Sequence, residues 1–388
     1  MATLEALYVY PIKGCRGQRV RSARVTATGL QHDRTWCVVD LEGKAVTRCE
    51  AISQRRMPAL GRVEATMSAD GLMLLVEAPG MPQLVVPVAE AQYAAEPMVQ
   101  VQSSGAGWWL GAQACRQHTR GSAWFSEFLN REAEPGMLAS GGARASKFAL
   151  CRSVAPRGIE MSSYPPIVPL LEHAATDPRL AGNAVRFSDF APFMLVNLAS
   201  AEEIAHEAGV AHYPIEPFRS NLVVRAASGW EEEEWACVDV LPASASRGRA
   251  ASRTPLLTLR RIAPCPACTA PCKEDLHKAH FPNRPTPPAD PAAEWGSWWT
   301  GATFGVYFGH GGTEGSTLSV GDRLVVQTTT SPDVPTMRAR AALMVHAKAS
   351  VAFALVWQLV AMVLAAAMGV VAAARGRPHR ALADERRE

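Results

Sequence analysis

Three cysteines fall within eight residues in CPACTAPC, Cys265, Cys268 and Cys272. Thiolates are soft, anionic ligands, so this spacing suits zinc, an iron–sulfur cluster or another thiophilic metal. Pro264, Pro266 and Pro271 should hold the three on a rigid, irregular loop. A closed zinc site needs a fourth donor, which His277 or His280 would offer. Packing of the cysteines as small hydrophobes beside a strand end is the plainer alternative.

A second kind of chemistry is scattered along the chain as candidate anion holders. In YPIKGCRG, Lys13 stands beside Gly14, where backbone N–H groups and a cation can meet an anion. QHDRTW places Asp33 next to Arg34, and EPFRSN supplies a guanidinium fork at Arg219 and an amide at Asn221. Taken singly, each reads equally as a turn, an ion pair or a polar edge. EEEEW at 231–235 reads as a solvated turn and GHGGTEG at 309–315 as a flexible hairpin. The G-x-S-x-G, H-E-x-x-H and G-x-x-x-x-G-K-[ST] patterns do not occur, which removes support for serine hydrolase, zincin and P-loop chemistry.

The elements that must position these groups are mostly strands. LYVYPI, VRSARVTATGL, TWCVVDLEGKAV, LGRVEATMSADGLMLLVEA and QLVVPV are short β-branched runs separated by turn residues, predicting an antiparallel β lobe with hairpin turns at LEGK and SADG. Apolar residues at 124, 125, 128 and 129 predict one short helix over 122–131. Residues 131–182, rich in Gly, Ala, Pro and Ser, read as connecting loops. From Phe187 a second unit begins, with strand FMLVNL running into a helix capped by Ser200, then strands NLVVRA, WACVDV, LLTLRRI, FGVYFG and DRLVVQT. The expected class is α+β, mainly β: an N-terminal antiparallel lobe with its helix (1–130), loops (131–182), a mixed β-barrel (183–330) and a linker (331–348).

Residues 349–374 carry no formal charge over 26 positions, enough to cross a hydrocarbon core as one helix, with a polar tail at 375–388. A single late span predicts a tail-anchored protein with its bulk in the cytosol. The basic flanks and moderate hydrophobicity favour the mitochondrial outer membrane over the endoplasmic reticulum. Among 388 residues, 39 basic against 36 acidic leave a net charge of +3, which gives no footprint for nucleic acid. Nine cysteines, an odd count, with no signal-like opening segment do not describe a disulfide scaffold.

Taken in order, YPIKGCRG, GLQHDRTW, FSDFAPF, FRSN, EEEEW, PCPAC, FGVYF and VGDRLVV resemble the MOSC family of molybdenum-cofactor proteins, more narrowly its amidoxime-reducing branch. The resemblance runs over about residues 4–326, and no aminotransferase-like sulfurase domain precedes it. It implies that Cys268 binds the metal of a molybdenum cofactor (Mo-molybdopterin). It also implies that Lys13, Gly14, Arg34, Asp189, Phe190, Ala191, Arg219, Asn221 and Tyr307 hold the pterin and its phosphate. Pro266 and Ala267 stand at the metal where the family has a Ser-Arg pair, and Gly14 stands where it has serine. The implied activity is reduction of N-hydroxylated compounds such as amidoximes and hydroxylamines, with electrons from cytochrome b5 and its NADH-dependent reductase. Asp189 is the candidate general base. Two other readings stay open: a non-catalytic carrier of the cofactor or of a Cys268 persulfide, and a cofactor-free docking module at a membrane.

Overall fold

The structure, a computed structural model, describes residues 1–41, 49–54, 57–102, 112–132, 147–158, 183–189, 191–244, 254–268, 299–311 and 314–329. It is mainly β and contains two closed barrels. The first has five strands, β2 (Trp36–Asp40), β3 (Cys49–Ala51), β4 (Met98–Gln102), β5 (Ala112–Gln117) and β6 (Phe148–Ser153), in the order β4-β5-β6-β2-β3. It closes where β3 pairs with β4 in parallel. The second has seven strands: β1 (Ala2–Val9), β7 (Phe193–Asn197), β8 (Leu222–Arg225), β9 (Trp235–Leu241), β10 (Leu257–Cys268), β11 (Trp299–His310) and β12 (Arg323–Thr329). Their order is β8-β7-β11-β10-β9-β12-β1, and pairing of β1 with β8 closes the ring.

Two expected boundaries shift. β1 pairs with β8 and β12, so the first strand of the predicted N-terminal lobe is a stave of the second barrel. β6 lies inside the stretch expected to be loops and seals the first barrel between β5 and β2. Its run FALCRS is fully buried, with no polar alternation to mark it, as befits a strand covered on both faces. SADG is the hairpin turn predicted, with Gly71 at φ 72° and its N–H bonded to the Ser68 carbonyl. The other predicted hairpin turn, LEGK, falls mostly outside the described residues.

Alternate residues of the seven-stranded barrel, among them Leu195, Val224, Val238, Leu259, Val306 and Phe308, form one core. The opposite faces of β7 and β8, Met194, Val196 and Val223, pack with helix α2 (Leu198–Ala208) through Ala201, Ile204 and Ala205. Small residues Cys37, Val39, Ala51, Val101, Cys115, Ala149 and Cys151 fill the narrower first barrel. Its outer wall, with Trp36, Val38 and Leu150, packs on helix α1 (Thr119–Glu132) through Trp124, Phe125, Phe128 and Leu129. The predicted helix over 122–131 is thus present and three residues longer at its start.

Ser200 does not cap α2. Asn197 does, its Oδ1 accepting from the Ala199 N–H, and Gly209 ends the helix at φ 67°. Ser200 instead donates to Glu232 Oε1 at 2.6 Å, and Asn197 Nδ2 donates to Oε2 at 2.9 Å. Glu231–Glu234 is a short 3₁₀ turn, and Glu232 within it is fully buried, so the acidic run is not simply a solvated face. Burial raises the Glu232 carboxyl above its ordinary 4.5, and the two hydrogen bonds only partly oppose that. A raised folded value favours the protonated form, so the contribution to stability is complete below about pH 4.5 and is lost as pH rises through the folded value. In that window wild type should lose about 1.4 kcal/mol per pH unit relative to Glu232→Gln. Urea unfolding of both proteins at several pH values checks this, and parallel curves would contradict it.

Among the described residues no helix is long and apolar enough to cross a membrane. The predicted span at 349–374, with its linker and tail, lies outside the described residues.

Candidate functional site

The end of β1 and the segment entering β2 run side by side. Lys13 N–H donates to the Trp36 carbonyl at 2.8 Å, Trp36 N–H to Pro11 at 3.0 Å, and Arg34 N–H to Tyr10 at 2.7 Å. Phe187 N–H then donates to the Arg34 carbonyl at 3.1 Å, which adds the segment leading to β7 as a third strand of chain. A turn closed from Cys15 N–H to the Ile12 carbonyl projects Lys13, and Gly14 within it has φ 88°. A Cβ there would stand 3.0 Å from Leu60 Cδ1 on a backbone that L-residues avoid, which accounts for glycine at this position.

These segments, with β7, β11 and the turn before β8, surround an open cavity, about 510 Å³ of empty space when the solvent at its mouth is included. Lys13, Gly14, Arg34, Asp189, Ala191, Arg219, Asn221 and Tyr307 all line it. Eight of the predicted site residues, drawn from five separate stretches of sequence, therefore meet. Phe190 and the side chains of Pro266, Ala267 and Cys268 lie outside the described residues. Tyr10, Phe187, Ser188, Met194 and Phe218 also line the wall and were not predicted. Phe187, Ser188, Met194 and Phe218 are apolar or small, with little chemistry to betray them, while Tyr10 acts through its ring against Arg34.

Lys13 is 4% exposed, and its Nζ donates to the Phe187 carbonyl at 3.0 Å and to Asp189 Oδ1. Burial pulls its pKa down, and the nearby Arg219 and Arg34 charges act the same way against Asp189. Arg34, at φ 45°, donates Nη1 to the fully buried Asp33 carboxylate at 2.6 Å and to Asn221 Oδ1 at 3.2 Å, and Nη2 to the Arg219 carbonyl at 2.7 Å. Its guanidinium lies 4.6 Å from the Tyr10 ring centroid. Burial would weaken its hold on the proton, but Asp33, with Tyr10 and Asp189 behind it, outweighs that and the net shift is upward. Arg219 takes the left-handed conformation, φ 50°, at the end of the Glu216–Phe218 turn, and Asn221 N–H is fixed to the Met194 carbonyl at 2.9 Å. Arg219 and Asn221 thus converge on the cavity through a turn.

Three cations face two carboxylates, Asp189 on the wall and Asp33 behind Arg34, so +3 − 2 leaves a surplus of +1. Groups of this kind bind an anion with hydrogen-bond acceptors, and phosphate is the best match for an arginine fork. The donor set fits a phosphorylated, polar ligand.

The cysteine run is not a loop up to Cys268: Pro264 to Cys268 continue β10, opposite β11, with register irregularities between Pro264 and Pro266 and between Pro266 and Cys268. Proline lacks a ladder N–H, which explains why pairing is broken there. Cys265 is buried, and its Sγ lies 3.2 Å from the hydroxyl of the cavity residue Tyr307. Three residues on, the Cys268 backbone pairs with Trp299. Among the described residues no group of three Cys, His, Asp or Glu is placed to hold a metal. Cys272, His277 and His280 lie outside them.

Residues 1–132 match the MOSC N-terminal beta barrel domain. The chain is 28% identical over 239 residues to mitochondrial amidoxime reducing component 2 of Bos taurus, covering 61% of this chain and 60% of that protein. To mitochondrial amidoxime-reducing component 1 of Mus musculus it is 26% identical over 263 residues, 67% of this chain and 66% of the other. A molybdenum cofactor sulfurase of Drosophila grimshawi is 27% identical over 232 residues, 59% of this chain but 24% of that protein. The chain thus spans about 60 to 66% of the length of the two mitochondrial relatives.

Proposed function

We propose that this chain, a MOSC protein by its N-terminal barrel domain and its likeness to amidoxime-reducing components and cofactor sulfurases, is a molybdenum-cofactor-dependent reductase of N-hydroxylated compounds. The observation that supports it best is the convergence of Lys13, Arg34, Arg219 and Asn221, far apart in sequence, on one cavity with a surplus of positive charge. In this reading Arg34 and Arg219 hold the ligand phosphate, and Asn221 and the wall near Gly14 and Ala191 orient the pterin. Tyr307 marks the side of the cavity toward β10, and Cys268, at the end of that strand, supplies the thiolate for the metal. The cofactor contributes two-electron redox chemistry at the metal.

The protein's part is to bind, orient and handle protons. Asp189 Oδ1 accepts from buried Lys13 while its carboxylate remains 36% exposed toward the cavity. That arrangement offers a carboxylate able to pass a proton between Lys13 and a substrate nitrogen or leaving hydroxyl. Reduction of an amidoxime to an amidine consumes two electrons and two protons and releases water. Cytochrome b5 and its NADH-dependent reductase are the proposed donors. Anchoring through 349–374 to the mitochondrial outer membrane would keep the enzyme on its donors' surface, with the endoplasmic reticulum as the second choice.

The test is elemental analysis of the protein made in a host that synthesises the pterin cofactor, followed by benzamidoxime reduction with reconstituted donors. Near-stoichiometric molybdenum and NADH-dependent turnover are expected. Protein loaded with molybdenum yet inert to every N-hydroxylated compound would favour the carrier reading, and protein with no molybdenum the docking reading.

A further inference from the structure

Away from the cavity, a second set of cations gathers where β6 ends. Arg152 and Arg186 both donate Nη1 to the same acceptor, the Ser153 carbonyl, at 3.1 and 3.2 Å, and Arg186 also reaches Ser153 Oγ at 3.2 Å. Two guanidinium groups bonded to one oxygen lie close enough to repel each other. Burial and the Arg152 charge both lower the Arg186 pKa, against the Glu90 charge. His32 joins them, its imidazole pushed toward the neutral form first by burial and then by Arg152 and Arg186. None of the three lines the cavity.

Glu90 Oε2, 3.1 Å from Arg152 Nη1, is the carboxylate paired with the cluster among the described residues, and Glu90 is itself 52% exposed. Arg152 is 9% exposed, and its buried Nε has no hydrogen-bond partner among the described residues. The Tyr93 ring, 5.6 Å from the Arg152 guanidinium, and the 2.6 Å bond from Gln113 Nε2 to Ser153 Oγ hold the surroundings in place. His32 and Arg186 are half-buried, so the cluster is reachable from solvent.

From this geometry we infer a separate binding site for a tetrahedral oxyanion, phosphate or sulfate in free or esterified form, between Arg152, Arg186 and His32. A dianion there would relieve the repulsion of the two forks and accept from up to three donors. It would also brace the cavity. Arg186 directly precedes Phe187–Asp189, His32 directly precedes Asp33–Arg34, and the Phe187 N–H to Arg34 carbonyl bond ties these two segments together.

The experiment is calorimetric titration of the full chain with inorganic phosphate at fixed ionic strength, repeated with sulfate and with acetate. Two phosphate-binding events are expected, because the cavity binds anions as well. Arg219→Gln should remove the cavity event, and Arg186→Gln should weaken the other about tenfold, the typical worth of one charge-assisted hydrogen bond. Acetate, lacking tetrahedral oxygens, should bind the second site at least severalfold more weakly. His32→Asn, which suits the left-handed backbone at φ 68° and leaves both guanidiniums bonded, is the second variant and should weaken the event severalfold. A single event abolished by Arg219→Gln overturns the proposal. So does a second event of unchanged affinity in whichever of Arg186→Gln and His32→Asn yields folded protein.

Discussion

Arg34→Met should lower the stability of the folded protein by about 3–5 kcal/mol, the cost of stranding a buried charge. The charge stranded is Asp33, whose side chain is fully buried and whose Oδ2 loses its 2.6 Å partner. Among the described residues its Oδ1 keeps only the Tyr10 N–H at 2.9 Å. Three further contacts go at the same time: those to Asn221 Oδ1 and the Arg219 carbonyl, and the face of Tyr10. Urea unfolding at neutral pH reads the loss. The double variant Asp33→Asn with Arg34→Met removes both charges and should recover more than half of it, because the carboxylate and not the missing contacts dominates the cost. A loss under about 1 kcal/mol in the single variant would mean that Asp33 finds solvent or another donor.

The second large effect concerns the metal and not the fold. Cys268→Ala in the cofactor-loaded protein should abolish molybdenum retention and lower benzamidoxime reduction by more than about a hundredfold, the upper end of what disturbing a group behind a ligand costs. Cys265→Ala should leave molybdenum in place and affect turnover modestly. The Cys265 thiol lies against the Tyr307 hydroxyl at 3.2 Å and in the packed cluster around Met194, Val223 and Phe304, where it serves as a small apolar filler that steadies a cavity residue. Metal analysis alongside activity separates the two thiols. Equal molybdenum in Cys268→Ala and wild type would sink the assignment of Cys268.

Strands were the most legible part of this chain, since β-branched runs bounded by glycine mark them whatever their partners. Their partnership was not legible. Nothing in LEALYV says that β1, besides pairing with nearby Gln18–Val20, also takes the distant β8 and β12 as partners, because alternation marks which face is buried and not which strand lies alongside. Ser200 was the obvious cap by type, yet Asn197, hidden inside an apolar strand, took that role and released Ser200 to bond Glu232. The acidic run misled for a related reason: composition averages over four residues, while packing selects one of them. The cavity residues were readable only as an ordered set of motifs. Lys13, Arg34 and Arg219 carry the right charge, but convergence depends on left-handed turns at Gly14, Arg34 and Arg219, and two of those three are arginines that no propensity would place there.

The seven-stranded barrel is closed by its earliest strand, and that has a consequence for how the chain is made. Ala2 pairs with Leu324, a separation of 324 − 2 = 322 residues, whereas the five-stranded barrel is complete in sequence by Ser153. During synthesis the first barrel can form early, while β1, paired only at Leu7–Val9 with nearby Gln18–Val20, waits for β8 and then β12 to emerge. Contacts of such range are slow to close, and an unsatisfied strand edge is a template for pairing with the wrong chain. The limiting step in producing this protein should therefore be the late capture of β1, and aggregation during expression should depend more on that strand than on any residue of the cavity.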